Sequence, residues 1–259
     1  MPARGQIAGL PGLFAARRSP ALVGIVAPLF KPEASRRMKS EPVLKSTKDR
    51  ILDAAERLFA ESGYDGVSLR EITRAAGVEL ALANYHFGPK SELFLAVVQR
   101  RAAELNEERM VLFEALPQPP SLEGLIDAFA RPFMEKSLRG GDGWKSYARL
   151  IAQVSSSSRW TEQVMSAQFD AVASRFIEGA RALLPGADVK DLYWGFHFML
   201  GAMLITFAET GRVDLLSGGR CQSSRLDQLY ERMVPFLAAG FERIAQPATA
   251  PRRSRRARP

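Results

Sequence analysis

Apolar residues recur every three or four positions through most of the chain between residues 46 and 245. That spacing predicts amphipathic helices, and no clear run shows the strict alternation expected of a half-buried strand. The pattern is clearest over residues 46–63, where Ile51, Ala55 and Phe59 share one face of the predicted first helix. The sequence therefore predicts an all-α fold.

Two short helices joined by a glycine turn are predicted between residues 66 and 90. Ser68 and Glu71 have the spacing of a capping box at the start of the first of them. Gly77 is placed to end that helix, as a left-handed glycine does. The second short helix follows and ends at Gly88, because proline at the next position disfavours helix in the residue before it. Two short helices with such a turn are typical of a helix-turn-helix.

The second short helix carries more apolar and aromatic groups than its small inner face can bury. Six of its side chains cannot all point inward, namely those of Leu80, Ala81, Leu82, Asn84, Tyr85 and His86. Soluble proteins seldom leave such a surface without a partner. DNA would suit it, because apolar side chains pack on thymine methyl groups and an asparagine pairs with adenine in the major groove.

Two stretches carry a resemblance to a known family: ILDAAERLFAESGYDGVSLREITRAAGV over 51–78 and YHFGPKSELF over 85–94. They resemble the DNA-binding domain of the TetR family of bacterial transcriptional regulators. The resemblance implies an N-terminal three-helix helix-turn-helix domain, followed by a C-terminal helical ligand-binding and dimerisation domain.

The same resemblance supplies expected DNA contacts. We expect base contacts from Arg70, Leu80, Ala81, Leu82 and Asn84, and phosphate contacts from Tyr85, His86 and Lys90 with help from Ser68. Asn84 departs from the commonest family pattern, which has an aromatic residue there. The alternatives are that Arg70 is a solvated helix residue and Tyr85 a core aromatic.

Six further helices are predicted after residue 90. They run from Ser91 to about 116, from Ser121 to the glycines near 140 with a kink at Pro132, and then over 144–154, 160–184, 188–211 and 226–244. The helix over 188–211 is apolar on every side, so we expect core on one side and a subunit interface on the other. Its apolar run is too short to span a membrane.

A ligand-binding cavity is expected in the C-terminal domain, because ligand pockets are mainly apolar with a few polar groups. The candidate lining residues are Phe129, Phe133, Arg149, Gln153, Phe169, Trp194, His197 and Phe198. For His197 the alternative is a hydrogen-bonded core histidine. FHFMLGAM, MVPFLAAGF and NYHFG resemble the fatty-acid-responsive PsrA branch of the family. This implies a fatty acid or an acyl-CoA as effector, while a drug or an aromatic compound remains open.

Charge changes this picture little. The net charge of the 259 residues is +8, but residues 1–45 carry +6 and residues 246–259 carry +5, whereas 46–90 and 91–245 carry −1 and −2. We expect both basic ends to be disordered and to add only salt-sensitive affinity for phosphates. The apolar run over 20–30 could be part of a secretory signal, but no convincing cleavage site follows, and Met38 is an alternative start.

We therefore expect a cytoplasmic, homodimeric repressor, released from a palindromic operator by a small apolar effector. Its expected partners are double-stranded DNA, the effector and a second copy of the chain, with no membrane, cofactor, metal or catalytic residue. One cysteine gives no disulfide framework or Cys-rich metal site. The alternatives are a regulator of efflux or catabolic genes that senses a drug or an aromatic compound, a helical enzyme, or a regulator acting through protein contacts. Against the enzyme, the sequence has no Gly-rich phosphate loop and no HExxH motif.

Overall fold

The computed structural model of the chain describes residues 45–246. The predictions for the basic terminal segments and for Met38 lie outside the described residues. Ten α-helices make up the described part, and no strand occurs there: α1 (Thr47–Ser62), α2 (Leu69–Ala76), α3 (Leu80–Phe87), α4 (Lys90–Glu114), α5 (Leu122–Arg139), α6 (Asp142–Ser155), α7 (Ala167–Leu183), α8 (Val189–Phe207), α9 (Arg212–Leu216) and α10 (Leu226–Ile244). The all-α prediction is confirmed. No helix within residues 45–246 is both long and apolar enough to cross a membrane.

The helix-turn-helix forms through the local signals that predict it. The Ser68 hydroxyl accepts a hydrogen bond from the Glu71 backbone N–H at 3.2 Å, and the Glu71 carboxylate accepts one from the Ser68 N–H at 2.7 Å. These two bonds satisfy donors that the start of α2 would otherwise leave free. Gly77 ends α2 with φ of 63°, in the left-handed region that favours glycine. Arg50 then donates to the carbonyl oxygens of Ala76 and Gly77 at 2.6 and 2.7 Å, which ties this turn to α1.

Charged groups join α1 to α4. The carboxylate of Glu56, only 1% exposed, accepts hydrogen bonds from Arg100 Nη2 at 2.7 Å and from Arg101 Nε and Nη2 at 3.0 and 3.2 Å. Asp53 accepts from Arg100 Nη1 at 2.8 Å and Lys45 Nζ at 2.6 Å. Burial acts to raise the pKa of Asp53, but the bonds from Lys45 and Arg100 outweigh it and leave that pKa below its usual value.

Pro132 leaves the predicted length of α5 unchanged, since the helix continues to Arg139. Two predicted helix starts are displaced in the structure. Pro89, not Ser91, precedes the first residue of α4, because the Pro89 carbonyl already accepts from the N–H groups of Glu92 and Leu93. The predicted helix over 160–184 instead opens with a π-helical turn, Thr161–Ser166, before α7 begins.

The C-terminal helices pack around a core of aromatic rings. Phe129 on α5 meets Phe176 on α7 and Phe196 on α8 edge-on, with ring centroids 5.5 and 5.4 Å away. A Cβ added at Gly195 of α8 would lie 2.6 Å from the Phe241 ring, so this glycine allows α8 and α10 to pack closely. The C-terminal part therefore has one continuous core, onto which α1 is held through α4 and α6.

Candidate DNA-binding surface and effector cavity

Helix α3 has a narrow inner face and a wide outer one. Ala83 is completely buried, and the partly buried Val78 and Phe87 pack against the core on either side of it. The outer face is formed by residues predicted to read DNA. Leu80 is partly buried, while Ala81, Leu82, Asn84, Tyr85 and His86 are exposed. Tyr85 is 83% exposed, so the alternative that it is a core aromatic is wrong.

Two other predicted DNA contacts lie on or beside α2. Arg70 is exposed on that helix and Ser68 is exposed at its N-terminus. The Ser68 hydroxyl also donates to the Glu71 carboxylate at 2.7 Å, and with the Ser68 N–H it lowers the pKa of Glu71. Ser68 is therefore occupied mainly in holding α2.

Lys90 differs from the expectation of a free phosphate contact. Its ammonium donates to the carbonyl oxygens of Tyr64 and Val67 at 2.9 and 2.8 Å, and lies 4.2 Å from the centre of the Tyr64 ring. The segment before α2 brings those carbonyls to the first turn of α4. Lys90 therefore joins the start of α4 to the α1–α2 connection and has one N–H left for another partner.

A largely apolar cavity of about 160 Å³ lies among α4, α5, α6, α7 and α8. Its lining is mostly aromatic and aliphatic, and its polar members include Arg109 and Tyr147. Three residues predicted to bind the ligand, Phe129, Phe133 and Phe169, line it together. The structure thus brings these three side chains, from α5 and α7, to one place.

The five other predicted ligand residues do not line this cavity, and we correct the prediction for them. Gln153 is exposed on α6 and donates to the Ala60 carbonyl at 3.0 Å, so it ties α6 to α1. Arg149 is exposed on the same helix. Trp194, His197 and Phe198 lie on the exposed side of α8, because Leu192, Gly195, Met199 and Met203 occupy its inner side. His197 is therefore not a core histidine either.

Sequence reasoning missed the polar groups that do reach the cavity. Arg109 on α4 is only 4% exposed, whereas the side chain of its apolar neighbour Met110 is 36% exposed. Ala102, Leu105 and Phe113 are buried on the same helix at helical spacing from Arg109. The sequence signal that could have identified Arg109 is its position on the apolar side of α4, where a basic residue is unusual. Tyr147, on α6, was visible only as one aromatic among many.

A second, larger groove of about 600 Å³ is open and polar. Charged side chains of α1, among them Arg50, Asp53 and Arg57, line it together with the start of α6. Small-molecule sites are mostly apolar concavities with few polar groups. The largely apolar cavity therefore fits an effector better than this groove does. No group of three or more metal-ligating side chains occurs in the described part of the chain.

The outer sides of α8 and α10 expose large apolar side chains. Trp194, Phe198 and Ile205 on α8 are 56%, 58% and 65% exposed, and Phe236 on α10 is 73% exposed. The Trp194 and Phe198 rings stack on each other with centroids 6.0 Å apart. Gly201 is exposed on the same side of α8, with nothing within 4 Å of an added Cβ. We call this surface the α8–α10 face; its apolar side chains are of the kind that interfaces cover.

Comparison with known proteins agrees with this architecture. Residues 51–97 match the family model of bacterial regulatory proteins of the tetR family, and residues 127–240 match that of the tetracyclin repressor-like C-terminal domain. The HTH-type transcriptional regulator BetI of Rhizobium meliloti is 26% identical over 168 residues, which cover 64% of this chain and 78% of BetI.

Two more proteins show where the similarity is local and where it is general. The HTH-type transcriptional repressor AcnR of Corynebacterium efficiens is 39% identical over 62 residues, 24% of this chain, and the match spans about a third of AcnR (33%). The crystal structure of the regulator FadR from Bacillus subtilis in complex with stearoyl-CoA has a TM-score of 0.52 at 15% identity, covering 74% of this chain and 98% of FadR. That likeness is one of fold.

Proposed function

Because this chain belongs to the TetR family of bacterial transcriptional regulators, we propose that it is a homodimeric repressor released from a palindromic operator by a small apolar effector. Its relatives BetI and AcnR are named as a regulator and a repressor. The observation that carries the proposal is the exposed outer face of α3, on a helix held by the single buried residue Ala83.

The α3 face has the chemistry for reading DNA. In a helix-turn-helix the second helix enters the major groove, and its first residues reach base edges. The amide of Asn84 matches the donor and acceptor of adenine, and Ala81 and Leu82 can pack on thymine methyl groups. Tyr85 and His86 follow on the exposed side, where their polar atoms suit phosphate oxygens.

The α8–α10 face supports a dimer. A second copy would cover Trp194, Phe198 and Phe236 through a four-helix contact, made by the same surface on each copy. Each dimer would then present two α3 helices related by a twofold axis. Such an arrangement requires an operator with two inverted half-sites.

The cavity is placed to couple an effector to DNA. It is lined by residues of α4, and only two residues separate the end of α3 from the start of α4. It is also lined by α6, which packs on α1. An effector that binds one arrangement of these helices more tightly than the other would shift the protein toward that arrangement. This shift would change the position of the helix-turn-helix in both copies of the dimer.

Two effector classes are supported by different observations. The likeness of fold to FadR, whose structure contains stearoyl-CoA, supports a fatty acid or an acyl-CoA. The volume of about 160 Å³ supports a smaller molecule such as an aromatic compound, because pockets for drug-sized ligands measure about 300–1,000 Å³. A long acyl chain would require the cavity to widen.

The first test measures binding of the full-length chain to the DNA upstream of its own gene. We expect specific, salt-sensitive binding, about 1–3 kcal/mol weaker in the Asn84→Ala variant. Gln99→Ala, which removes an exposed amide from α4, is the matched control and should bind as the wild type does. Equal operator affinity of the Asn84→Ala variant would contradict base reading at this position. If the wild-type chain bound no genomic fragment specifically, the proposal that it is a repressor would be contradicted.

A further inference from the structure

Arg109 is a cation without a carboxylate partner inside an apolar domain. It is 4% exposed, and none of the ion pairs among residues 45–246 includes it. Burying a charge is costly unless it is paired and hydrogen-bonded. Desolvation lowers the pKa of Arg109 to about 10, so the guanidinium is still charged at neutral pH. An unpaired buried cation indicates a site for an anion.

Only part of the guanidinium is used by the protein. Nε donates to the Phe129 carbonyl at 2.8 Å, and Nη1 donates to Asn106 Oδ1 at 3.2 Å. The group also lies 4.0 Å from the centre of the Phe129 ring. These contacts fix its plane, while Nη2 has no hydrogen-bond partner among the described residues. The side chain lines the cavity, so the remaining donor capacity is available there.

Tyr147 adds a second unused donor to the same cavity. Its side chain is completely buried, and its hydroxyl has no hydrogen-bond partner in the part of the chain that the structure describes. Buried polar groups without a partner are rare in folded proteins and call for an explanation. Burial raises the pKa of Tyr147, so its hydroxyl keeps its proton and can donate. Both Arg109 and Tyr147 therefore offer hydrogen-bond donors that the described residues do not use. The cavity lining also includes the carboxylate of the exposed Asp170, which forms no ion pair with Arg109 within residues 45–246.

The cavity sets the size of the ligand. Its volume of about 160 Å³ is close to that of an engineered cavity of about 150 Å³ that accommodates benzene. Phe133, Ile151, Phe169 and Met203 supply apolar walls around the two polar groups. A benzene-sized body with one anionic group would fill this space and satisfy its donors.

We propose that the effector is a small apolar monocarboxylate, whose carboxylate accepts hydrogen bonds from the Arg109 guanidinium and the Tyr147 hydroxyl. This inference rests on the proposed function, since it names the effector class of that site. A carboxylate matches the geometry of a guanidinium, and such charge-assisted bonds are about twice as strong as neutral ones. Because Arg109 belongs to α4 and Tyr147 to α6, the bound carboxylate would join two of the helices that contact α1.

The test compares acids with neutral compounds of the same shape. Calorimetric titration of the full-length chain would use benzoate and hexanoate against benzamide and hexanamide, with palmitate and palmitoyl-CoA as long-chain probes. We expect both small acids to bind at least about tenfold more tightly than their amides, because only the acids pair with the buried cation. Equal affinity of each acid and its amide would overturn the inference.

Variants assign the binding to this cavity. We expect Tyr147→Phe to weaken benzoate binding about tenfold without lowering the melting temperature, because the hydroxyl it removes is unpaired in the free protein. Tyr230→Phe is the matched control. It removes a hydroxyl that donates to Asp127 Oδ1 at 2.7 Å, so it should lower the melting temperature and leave benzoate affinity unchanged. Arg109→Met should abolish the preference for acids, whereas Arg149→Met, at an exposed position on α6, should not.

The outcomes separate this inference from the proposed function. Benzoate binding that is unchanged in Tyr147→Phe, which should fold normally, would overturn the inference by placing the acid elsewhere. Tight binding of palmitoyl-CoA with no binding of the small acids would also overturn it. Specific operator binding without any carboxylate binding would support the repressor and overturn the proposal of a carboxylate effector. Carboxylate binding without specific DNA binding would support the carboxylate site and contradict the repressor.

Discussion

Replacement of Glu56 by glutamine tests the contact that holds α1, the first helix of the helix-turn-helix domain, to α4. The substitution keeps the volume of the side chain and removes its charge. In the native protein this carboxylate accepts three hydrogen bonds from two guanidinium groups, at 2.7–3.2 Å. In the variant the amide nitrogen would face a guanidinium, and two cations would share one neutral oxygen.

The size of the effect follows from burial. Removing one partner from a buried ion pair costs about 3–5 kcal/mol. Glu56 is 1% exposed, but the side chains of Arg100 and Arg101 are 24% and 19% exposed, and Arg100 keeps its bond to Asp53. We therefore expect the lower end of that range, a decrease of about 3 kcal/mol in the free energy of unfolding.

Urea unfolding at a fixed protein concentration measures this decrease, since the stability of a dimer depends on concentration. Glu61→Gln is the matched control. It makes the same change on the same helix, at an exposed pair with Arg57 whose contact is 3.4 Å. Such a pair contributes about 0.3–0.5 kcal/mol. Equal losses in the two variants would refute the argument that the buried contact holds α1 on α4.

Three further changes test other parts of the structure. Ser68→Ala removes the capping hydroxyl of α2 and should lower the free energy of unfolding by about 1 kcal/mol in urea, whereas Ser156→Ala, at an exposed turn, should change it less. Phe198→Asp places a charge on the α8–α10 face and should shift sedimentation toward the monomer, unlike Leu215→Asp on α9. Asp53→Asn should make the loss of stability on acidification shallower, because the native carboxylate has a lowered pKa.

The sign of the last effect is determined by the direction of that pKa shift. A carboxyl with a lowered pKa in the folded state stabilises the protein above its unfolded pKa, about 3.9. This contribution is lost as the pH falls through the folded value. Urea midpoints would be measured from about pH 6 downward for the wild type and for Asp53→Asn. If the two sets of midpoints fell in parallel, the reasoning would be contradicted. A dimer that survives Phe198→Asp would place the interface elsewhere, and an unchanged Ser68→Ala variant would contradict the capping role.

Local signals decided most of the secondary structure. The Ser68–Glu71 capping box, Gly77 and the Ser121 cap act through neighbouring atoms, so the residues alone place these helix boundaries. The cap of α4 lies two residues before the predicted Ser91, because the Pro89 carbonyl accepts the first hydrogen bonds of this helix. Helix α9 was missed, since five residues are too few to show a period.

The exposed face of α3 was also largely predictable. A helix of eight residues can bury only one narrow side, and Ala83 fills that side completely. The remaining side chains must then face outward. Lys90 was the exception, because its partners Tyr64 and Val67 lie 26 and 23 residues away along the chain.

The apolar cavity depended on the tertiary structure. Nothing local distinguishes Phe129 and Phe133, which line it, from Trp194 and Phe198, which face outward. The rotation of α8 decides the difference, and that rotation is set by packing against α5, α6, α7 and α10. The sequence by itself thus determined the helices, the family and the outer face of α3, because those follow from spacing along the chain. Only the packing of distant helices buried Arg109 and Tyr147 in one cavity. There the described residues leave part of the Arg109 guanidinium and the whole Tyr147 hydroxyl without a hydrogen-bond partner.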